Sequence, residues 1–524
     1  MGWKAERSRE RIDGFKRSAP GIRVERLVED YLPRIASERA FRAAVGARDQ
    51  GAPALYDLPD GTAVVVPDAV HIYVRAISYD DVRLEQGRET EASHKRALAF
   101  LHLLYGSGDR VVQSIGAQRV DFHGARMHAV VTEPSGRGDV VARIAKAIAI
   151  AREMMELARE VERTLSTGGF PLRFRVGADV GTCIAINSGR RDDREPMFIG
   201  PAANHAAKLA DGVQEGIYLS DRIRAALGLA RVGSLAMERL VPASPSEFAS
   251  TADRFRRSAA ALRLDEWRNE ARFGGAQPIS PDAFSFRRHT PPLSTIDYAD
   301  LSPARSVRMG LASIFADLDG YTAYVDACMR DGCLDKAVLL LHVLRSEFNA
   351  VVQRDFRGRK VRFIGDCIHA LLAAGTAHRT DERETIELAA QCAGGLRSSF
   401  DLCGELVEHA DRVGLAIGLE YGETPITRIG IRGDRAVRTA SSLASRGSER
   451  CQRQCDGEQT MIGEKAFASA SAAIRKLFGP GRVATGLTYD DVATAGSVAG
   501  AAAVAAPAIL TAPAEARTSR AYSR

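Results

Sequence analysis

The sequence lacks the cysteine patterns of a disulfide framework or a zinc site. Its 524 residues include 8 cysteines, with no Cys-x-x-Cys pair and no alternating spacing of cysteine and histidine. This pattern favours reduced thiols. The residues from Met1 to Arg11 are charged and lack the apolar segment of a secretory signal. Together, these two absences predict a cytoplasmic protein.

A strongly apolar segment of membrane-spanning length is also absent. The uncharged stretch from Val492 to Ala514 is rich in alanine and glycine and contains Pro507 and Pro513, so its hydrophobicity is weak for a membrane span. We expect a flexible tail here and no membrane partner.

A basic surface of the kind that binds nucleic acids is missing as well. The formal net charge of +6 is small against 72 basic and 66 acidic side chains, and no run of basic residues is interleaved with aromatic ones. Nucleic acid is therefore not an expected partner. Acidic small molecules, nucleoside triphosphates among them, remain natural partners.

The length and composition of the chain indicate two globular domains with accessory segments. The chain is too long for one ordinary core, and its 45% apolar and 26% charged residues are typical of a globular protein. Helical periodicity broken by prolines precedes the first domain, and a segment rich in proline, serine and arginine separates the two. The predicted segments are accessory helices (1–58), a first domain (59–230), a linker (231–305), a second domain (306–475) and a flexible Ala-rich tail (476–524).

An internal repeat with an offset of about 240 residues relates the two predicted domains. The helical stretch from Ala97 to Leu104 matches the stretch from Ala337 to Leu344, and a histidine occupies the same position in each. A lone histidine on an apolar helix face is more often a core residue than a ligand. Further matches are Val111-Val112-Gln113 with Val351-Val352-Gln353, Met127-His128-Ala129 with Ile368-His369-Ala370, and Gly177 and Gly181 with Gly418 and Gly422.

The second copy places an acidic residue at the end of each of two predicted strands. Asp317 follows an apolar strand and precedes a glycine turn, and Asp366 lies at the expected tip of a hairpin. Either residue alone would be explained equally well by a helix cap or a turn. Two carboxylates on adjacent strands can hold divalent metals. Phosphoryl transfer uses such metals to activate the attacking oxygen and to neutralise charge on the phosphates.

These segments resemble the class III adenylate and guanylate cyclase family, in which Phe-x-Asp-Ile-x-Gly-Phe-Thr and a later Gly-Asp supply two metal-binding aspartates. The first pattern runs here from Phe315 to Thr322, and the second is Gly365-Asp366. The resemblance implies an α/β (α+β) fold of two ferredoxin-like domains in tandem, paired head to tail. It also implies two ions, Mn²⁺ or Mg²⁺, bound by Asp317, the Leu318 carbonyl and Asp366.

The resemblance implies a third motif, in which an asparagine orients the ribose and a basic residue four positions later stabilises the transition state. This motif occurs in the first copy, where Asn204 and Lys208 lie one helical turn apart. Lysine acts as a point charge where arginine is more usual. Without the other motifs, a solvated amphipathic helix would be the simpler explanation.

The two copies depart from the family pattern at different positions. In the first copy, Arg75 and Ala125 replace the two metal-binding aspartates. In the second copy, we align Arg438 and Ser442 with the asparagine and the basic residue of the third motif. Each copy then lacks what the other retains. A head-to-tail pair is therefore predicted to form one complete site and one degenerate site.

The positions that select the base match neither purine pattern of the family. Its adenylate cyclases use lysine with aspartate and its guanylate cyclases use glutamate with cysteine, whereas the equivalent residues here are Asp121 and Met197. The stretch from Met197 to Leu209 is more similar to the pyrimidine cyclases of bacterial Pycsar antiphage systems, which also favour lysine at the catalytic basic position.

The sequence therefore predicts a nucleotidyl cyclase that converts a nucleoside triphosphate, with UTP or CTP favoured and UTP first, to its 3′,5′-cyclic monophosphate and diphosphate. The resemblance implies that the product is a second messenger of antiphage defence that activates a separate effector protein. The alternatives are an adenylate cyclase with an unusual base pocket and an inactive tandem that senses nucleotides.

Overall fold

Two β-sheets, one in each half of the chain, form the framework of the protein. The computed structural model describes residues 2–19, 23–26, 62–134, 137–164, 172–188, 195–234, 241–244, 247, 280–430 and 436–504. Most of the predicted linker and the last twenty residues of the chain lie outside this described part.

The first half supplies a seven-stranded sheet and several helices. Its strands are β1 (Arg23–Arg26), β2 (Thr62–Ala76), β3 (Gln118–His123), β4 (Arg126–Val131), β5 (Phe174–Ser188), β6 (Glu195–Ile199) and β7 (Gly216–Leu219). Its helices are α1 (Ala5–Ser18), α2 (Tyr79–Arg83), α3 (Glu91–Ser114), α4 (Val140–Thr164), α5 (Pro201–Ala210) and α6 (Asp221–Ala226), with a 3₁₀ turn at Arg137–Asp139.

The second half supplies an eight-stranded sheet. Its strands are β8 (Phe286–Arg287), β9 (Ser306–Asp319), β10 (Arg359–Ile364), β11 (Cys367–Leu372), β12 (Gly414–Ile429), β13 (Val437–Ala440), β14 (Gln459–Ile462) and β15 (Val483–Thr485). Its helices are α7 (Tyr321–Asp331), α8 (Leu334–Ala350), α9 (Glu382–Leu406), α10 (Leu443–Gln452), α11 (Glu464–Ser469), α12 (Ala472–Phe478) and α13 (Tyr489–Val504). Short helical turns occur at Pro281–Ala283, Leu293–Thr295, Tyr298–Asp300, Pro303–Arg305, Val351–Asp355 and Ala410–Arg412.

The two sheets have the same topology. The strand order is β3-β4-β2-β5-β6 in the first and begins β10-β11-β9-β12 in the second, where β13 also pairs with β12. In each, a strand, a helix, a hairpin, a helix and a strand follow one another, which is the ferredoxin-like βαββαβ order. The predicted fold of two tandem ferredoxin-like domains is confirmed.

Repeated glycines mark the place where a helix lies directly on the central strand of each copy. A side chain at Gly177 of β5 would collide with the Ala206 carbonyl of α5, and one at Gly418 of β12 would collide with the Ser448 carbonyl of α10. Glycine is required here because the helix backbone approaches too closely for any Cβ. This contact also fixes the true alignment of α5 with α10.

The hydrophobic cores of the two copies interlock, as a head-to-tail pair requires. Ile184 and Met197 of the first copy pack in the core of the second, whereas Ile429 and Val437 of the second copy pack in the core of the first. Residues of β5 and β6 thus pack in the core of the second copy, and residues of β12 and β13 pack in the core of the first. The two copies therefore cannot separate without exposing apolar surface.

The segments at the two ends differ in part from expectation. Helix α1 lies in the segment predicted as accessory helices, residues 23–26 of that segment form strand β1, parallel to β2, and residues 27–58 lie outside the described residues. The flexible tail predicted from residue 476 is wrong as far as Val504, because this segment includes β15 and α13. The Tyr489 ring of α13 packs against Trp3, at 6.1 Å between centroids, and α13 is thereby fixed to the amino-terminal segment. Among the helices in the described part of the chain, none is both long and apolar enough for a membrane crossing.

Candidate active site

The two aspartates of the second copy meet at one edge of its sheet. Asp317 lies near the end of β9, opposite Ala416 of β12. Asp366 lies in the tight turn between β10 and β11, after Gly365, whose φ of 61° favours glycine. Since β11 pairs with β9 at Ile368 and Ala316, the turn reaches the end of β9.

Burial and mutual repulsion disfavour the charged forms of both aspartates. Burial raises the pKa of Asp317 to about 6, and the neighbouring carboxylates of Asp319 and Glu449 act in the same direction. The pKa of Asp366 is raised well above its ordinary range, first by burial and then by the charge of Asp317. Two carboxylates that repel each other in a partly enclosed place are stabilised when a cation binds between them.

The donor set fits a hard divalent cation. Carboxylate and carbonyl oxygens are the ligands that Mg²⁺ and Mn²⁺ prefer. The Leu318 carbonyl, predicted as a further ligand, lies in β9 between Asp317 and Asp319. Leu318 is paired in register with Leu415 of β12. The Leu415 N–H donates to the Gly457 carbonyl, so it does not donate to the Leu318 carbonyl.

The asparagine of the third motif comes to this site from the first copy. Helix α5 carries Asn204 and Lys208 on its exposed side. The Asn204 side-chain amide donates to the Thr322 hydroxyl in the first turn of α7, just beyond Asp317. Lys208 follows Asn204 by one helical turn and faces solvent on the same helix. The structure thus brings the helix that carries the third motif close to Asp317 and Asp366, across the boundary between the copies.

The two predicted base-selecting residues also lie at this boundary. The Asp121 carboxylate of β3 accepts a hydrogen bond at 2.5 Å from Arg362, a residue of β10 in the second copy. The Met197 sulfur accepts one at 3.0 Å from Arg345 of α8. In this structure, therefore, Asp121 and Met197 are both engaged with arginines of the other copy.

Arg345 is a site residue that the sequence reasoning missed. Its side chain is 4% exposed, lies over the Phe363 ring at 4.1 Å and attracts the Asp366 carboxylate. A signal for it exists in the repeat, since Arg345 interrupts the apolar run after His342 where the first copy has Tyr105. A charged residue in a buried helix position that its repeat fills with tyrosine is a candidate for function.

The alignment of Arg438 and Ser442 with the third motif is wrong. Arg438 lies on strand β13, and Ser442 caps the amino terminus of α10. Helices α5 and α10 pack on equivalent glycines of their strands. This packing shows that Arg446 and Arg450 of the second copy occupy the positions equivalent to Asn204 and Lys208 of the first. The second copy therefore lacks the asparagine of the third motif but retains a basic residue in its last turn.

The two copies also meet at a second boundary, where residues at equivalent positions contact each other but have different side chains. Arg446 forms an ion pair with Asp80, the counterpart of the Asn204 contact with Thr322. A cavity of about 110 Å³ lies here, lined by Arg75 and Ala125 as well as by Arg438 and Ser442. Among the described residues that line this cavity, there is no aspartate pair at the strand ends of the Asp317 and Asp366 kind.

Arginines and their ion pairs occupy the place where the metal ligands would lie at this second boundary. Arg75 pairs with Asp211 at 3.1 Å, and Arg126 pairs with Glu449 at 3.2 Å. Burial alone would raise the pKa of Glu449, but His123, Arg126 and Arg453 hold it well below its ordinary range. A fixed set of guanidinium groups repels cations, so this geometry disfavours a second metal site.

Comparison with known proteins shows similarity over almost the whole chain. It is 46% identical to a uridylate cyclase of a Rhizobium species over 496 residues, which cover 93% of this chain and 94% of that protein. It is 38% identical to a uridylate cyclase of Pseudomonas aeruginosa, covering 84% of this chain and 85% of the other. No protein-family model matches the chain.

One solved structure shares the complete architecture. It is a class III adenylyl cyclase-like ATP-binding protein from Pseudomonas aeruginosa, 34% identical, with a TM-score of 0.82 over 94% of this chain and 99% of that one. The similarity extends over both copies, so their tandem arrangement is common to the two proteins.

Proposed function

The chain belongs to the uridylate cyclases of the class III nucleotidyl cyclase family, and on that premise we propose that it converts UTP to 3′,5′-cyclic UMP and diphosphate at a single composite site. The observation that carries this proposal is the hydrogen bond from Asn204 of the first copy to Thr322 beside Asp317 of the second. This contact connects the helix that carries Asn204 and Lys208 with the segment that follows Asp317, so that each copy supplies the residues that the other lacks.

The acidic half of the site is suited to metal binding. Two divalent cations, Mn²⁺ or Mg²⁺, held by Asp317, the Leu318 carbonyl and Asp366, would lower the pKa of the ribose 3′-hydroxyl and neutralise the phosphates. The raised pKa of each aspartate supports this assignment, because a cation relieves the repulsion that Arg453 and Arg345 compensate only in part.

The basic half of the site orients the nucleotide and stabilises the transition state. The ribose 3′-oxygen attacks the α-phosphorus, the bond to the leaving diphosphate breaks, and the hydroxyl proton passes to solvent. Asn204 orients the ribose for in-line attack. Lys208 offsets the negative charge that develops on the α-phosphoryl oxygens, where a positioned cation has its largest effect.

The residues on the base side of the site are complementary to uracil. Its N3–H group is a donor between two carbonyl acceptors. Asp121 supplies a carboxylate acceptor, Arg345 supplies guanidinium donors, and Met197 supplies an apolar contact. Cytosine has no N3–H to donate, so the same arrangement favours UTP over CTP.

The direct test is to incubate the purified chain with Mn²⁺ and each of the four nucleoside triphosphates, and to identify the cyclic product by mass spectrometry. We expect cyclic UMP from UTP and no product from the Asp366→Ala variant. Cyclic AMP as the main product would favour an adenylate cyclase with an unusual base pocket. Binding without any product would favour an inactive nucleotide sensor.

We further propose that cyclic UMP serves as a cytoplasmic second messenger in antiphage defence and activates a separate effector protein. The support is the similarity of the stretch from Met197 to Leu209 to the pyrimidine cyclases of Pycsar systems. Cells that carry the cyclase together with an effector protein that responds to cyclic UMP should resist phage, and cells that carry the Asp366→Ala variant with the same effector should not. Equal resistance with the variant would remove the role of the cyclic product.

A further inference from the structure

Two cysteines and a histidine converge beside α7, although their spacing in the sequence is not that of a zinc motif. The Sγ atoms of Cys328 and Cys333 and a ring nitrogen of His409 all lie within 4.8 Å of one another. Cys328 lies in the last turn of α7, Cys333 immediately precedes α8, and His409 lies in the loop before β12. Within the described part of the chain, this group alone brings three such side chains together in that way.

From this convergence we propose that Cys328, Cys333 and His409 form a binding site for one zinc ion. Two thiolates and an imidazole are ligands that zinc prefers, and a water molecule completes a tetrahedral set. Zinc–sulfur distances of about 2.3 Å and zinc–nitrogen distances of about 2.0 Å place tetrahedral ligand atoms roughly 3.5 Å apart. The three observed atoms, all within 4.8 Å of one another, already lie near that separation.

The surroundings of the group are those of a metal site rather than of three unrelated side chains. The Tyr324 hydroxyl lies 3.0 Å from Nδ1 of His409, which leaves Nε2 as the nitrogen for the ion, and metal-bound histidines commonly have such a hydrogen-bond partner at the other ring nitrogen. Cys328 is 1% exposed, whereas Cys333 and His409 are partly exposed, so an ion and a water molecule can enter from their side.

The site joins two segments that flank the composite active site. Helix α7 begins directly after Gly320 and carries Thr322, which contacts Asn204. The loop that contains His409 leads into β12, where Gly414 pairs with Asp319. A zinc ion would therefore fix this loop to α7. Its presence does not depend on which nucleotide the enzyme uses.

The test is the zinc content of the full chain, purified under reducing conditions without chelator, loaded with Zn²⁺ and dialysed into metal-free buffer. We expect one zinc per chain in the wild type and in Asp317→Ala, in which the other candidate metal site is disrupted. Cys333→Ser and His409→Ala should each lose the zinc. Cys455→Ser, which removes another partly exposed cysteine, should retain it.

A cobalt spectrum and a conservative variant separate a ligand role from a general structural one. Co²⁺ added to the zinc-free wild type should give thiolate-to-cobalt charge-transfer absorption that Cys333→Ser lacks, while circular dichroism shows that the variant is folded. Tyr324→Phe should weaken zinc binding by about 10- to 100-fold. A wild type that retains no zinc, a Cys333→Ser variant that binds as much as the wild type, or a Cys328–Cys333 disulfide in place of bound metal would overturn the proposal.

Discussion

At the scale of single residues, Asp317 shows how a buried carboxylate at the proposed metal site costs stability. Its pKa is raised to about 6 by burial and by neighbouring carboxylates, so the folded protein holds the Asp317 proton more tightly than the unfolded chain does. The carboxylate charge therefore lowers stability at pH 7. Without metal, this cost decreases as the pH falls toward and below 6.

We expect Asp317→Asn to stabilise the metal-free protein while it abolishes cyclisation. The free energy of unfolding at pH 7 should rise by about 1–3 kcal/mol, since one pKa unit corresponds to about 1.4 kcal/mol. Thermal unfolding of the chelator-treated proteins measures this difference. Asp319→Asn, which changes an exposed carboxylate on the same strand, should give a much smaller gain.

The metal dependence of the same variants provides the complementary result. Mn²⁺ should raise the unfolding temperature of the wild type and leave that of Asp317→Asn almost unchanged, because ligand binding stabilises only a protein that retains its site. An Asp317→Asn variant that is less stable than the wild type without metal would contradict the account of buried repulsion.

At the scale of elements, α1 belongs physically to the second copy although it lies at the amino terminus. Arg11 pairs with Glu347 at 2.5 Å and with Asp355 at 2.9 Å, and both carboxylates are almost completely buried. Ser8 also donates to Glu347 at 2.7 Å. Helix α1 therefore supplies the charge that these buried acidic groups need.

Removing that charge should be strongly destabilising. Arg11→Ala leaves Glu347 buried without a guanidinium partner and leaves Asp355 paired with Arg7 alone, and we expect a loss of about 3–5 kcal/mol in the free energy of unfolding. Arg9→Ala is the matched control, since Arg9 pairs with Glu405 on the surface and its loss should cost about 1 kcal/mol or less. Urea denaturation measures both, and equal losses would show that α1 is not anchored through Arg11.

The repeat made the elements of the fold predictable, because matched glycines and apolar runs report local packing. Gly177 and Gly418 occupy equivalent positions in the two copies since a helix backbone lies on each. The proximity of Asp317 and Asp366 was predictable from another pattern, because each follows one of two strands that were expected to be adjacent.

Other features depended on contacts that a sequence does not display. The error at Arg438 and Ser442 arose because the boundary between β13 and α10 is not evident in the sequence. Arg345 and the group around Cys328 were missed because their partners are distant in the chain. The contact of Asp121 with Arg362 spans the two copies and is likewise invisible to local reasoning.

At the scale of the whole molecule, the two boundaries between the copies are related by symmetry but differ in chemistry. One joins Asn204 to Thr322 beside two aspartates, and the other joins Arg446 to Asp80 beside Arg75. The interlocked cores hold both boundaries within one chain. A single active site per chain is therefore the expected outcome of this architecture.

Mixing of variants tests whether the site forms within one chain. A Lys208→Ala chain and an Asp366→Ala chain should each be inactive, and their mixture should remain inactive, because interlocked cores prevent the exchange of copies. The rate of cyclic UMP formation from UTP measures this. Activity that returns on mixing would place the site between two chains.

The most direct test of the composite site compares Lys208→Ala with Arg450→Ala, since the two residues occupy equivalent positions at the two boundaries. With Mn²⁺ and UTP, Lys208→Ala should lower kcat by about 10²- to 10³-fold, as the loss of a transition-state charge partner does. Arg450→Ala should retain nearly wild-type kcat, because the aspartate pair lies at the other boundary. A large loss in Arg450→Ala together with near wild-type activity in Lys208→Ala would contradict the assignment of the active site to the boundary formed by Asn204, Asp317 and Asp366.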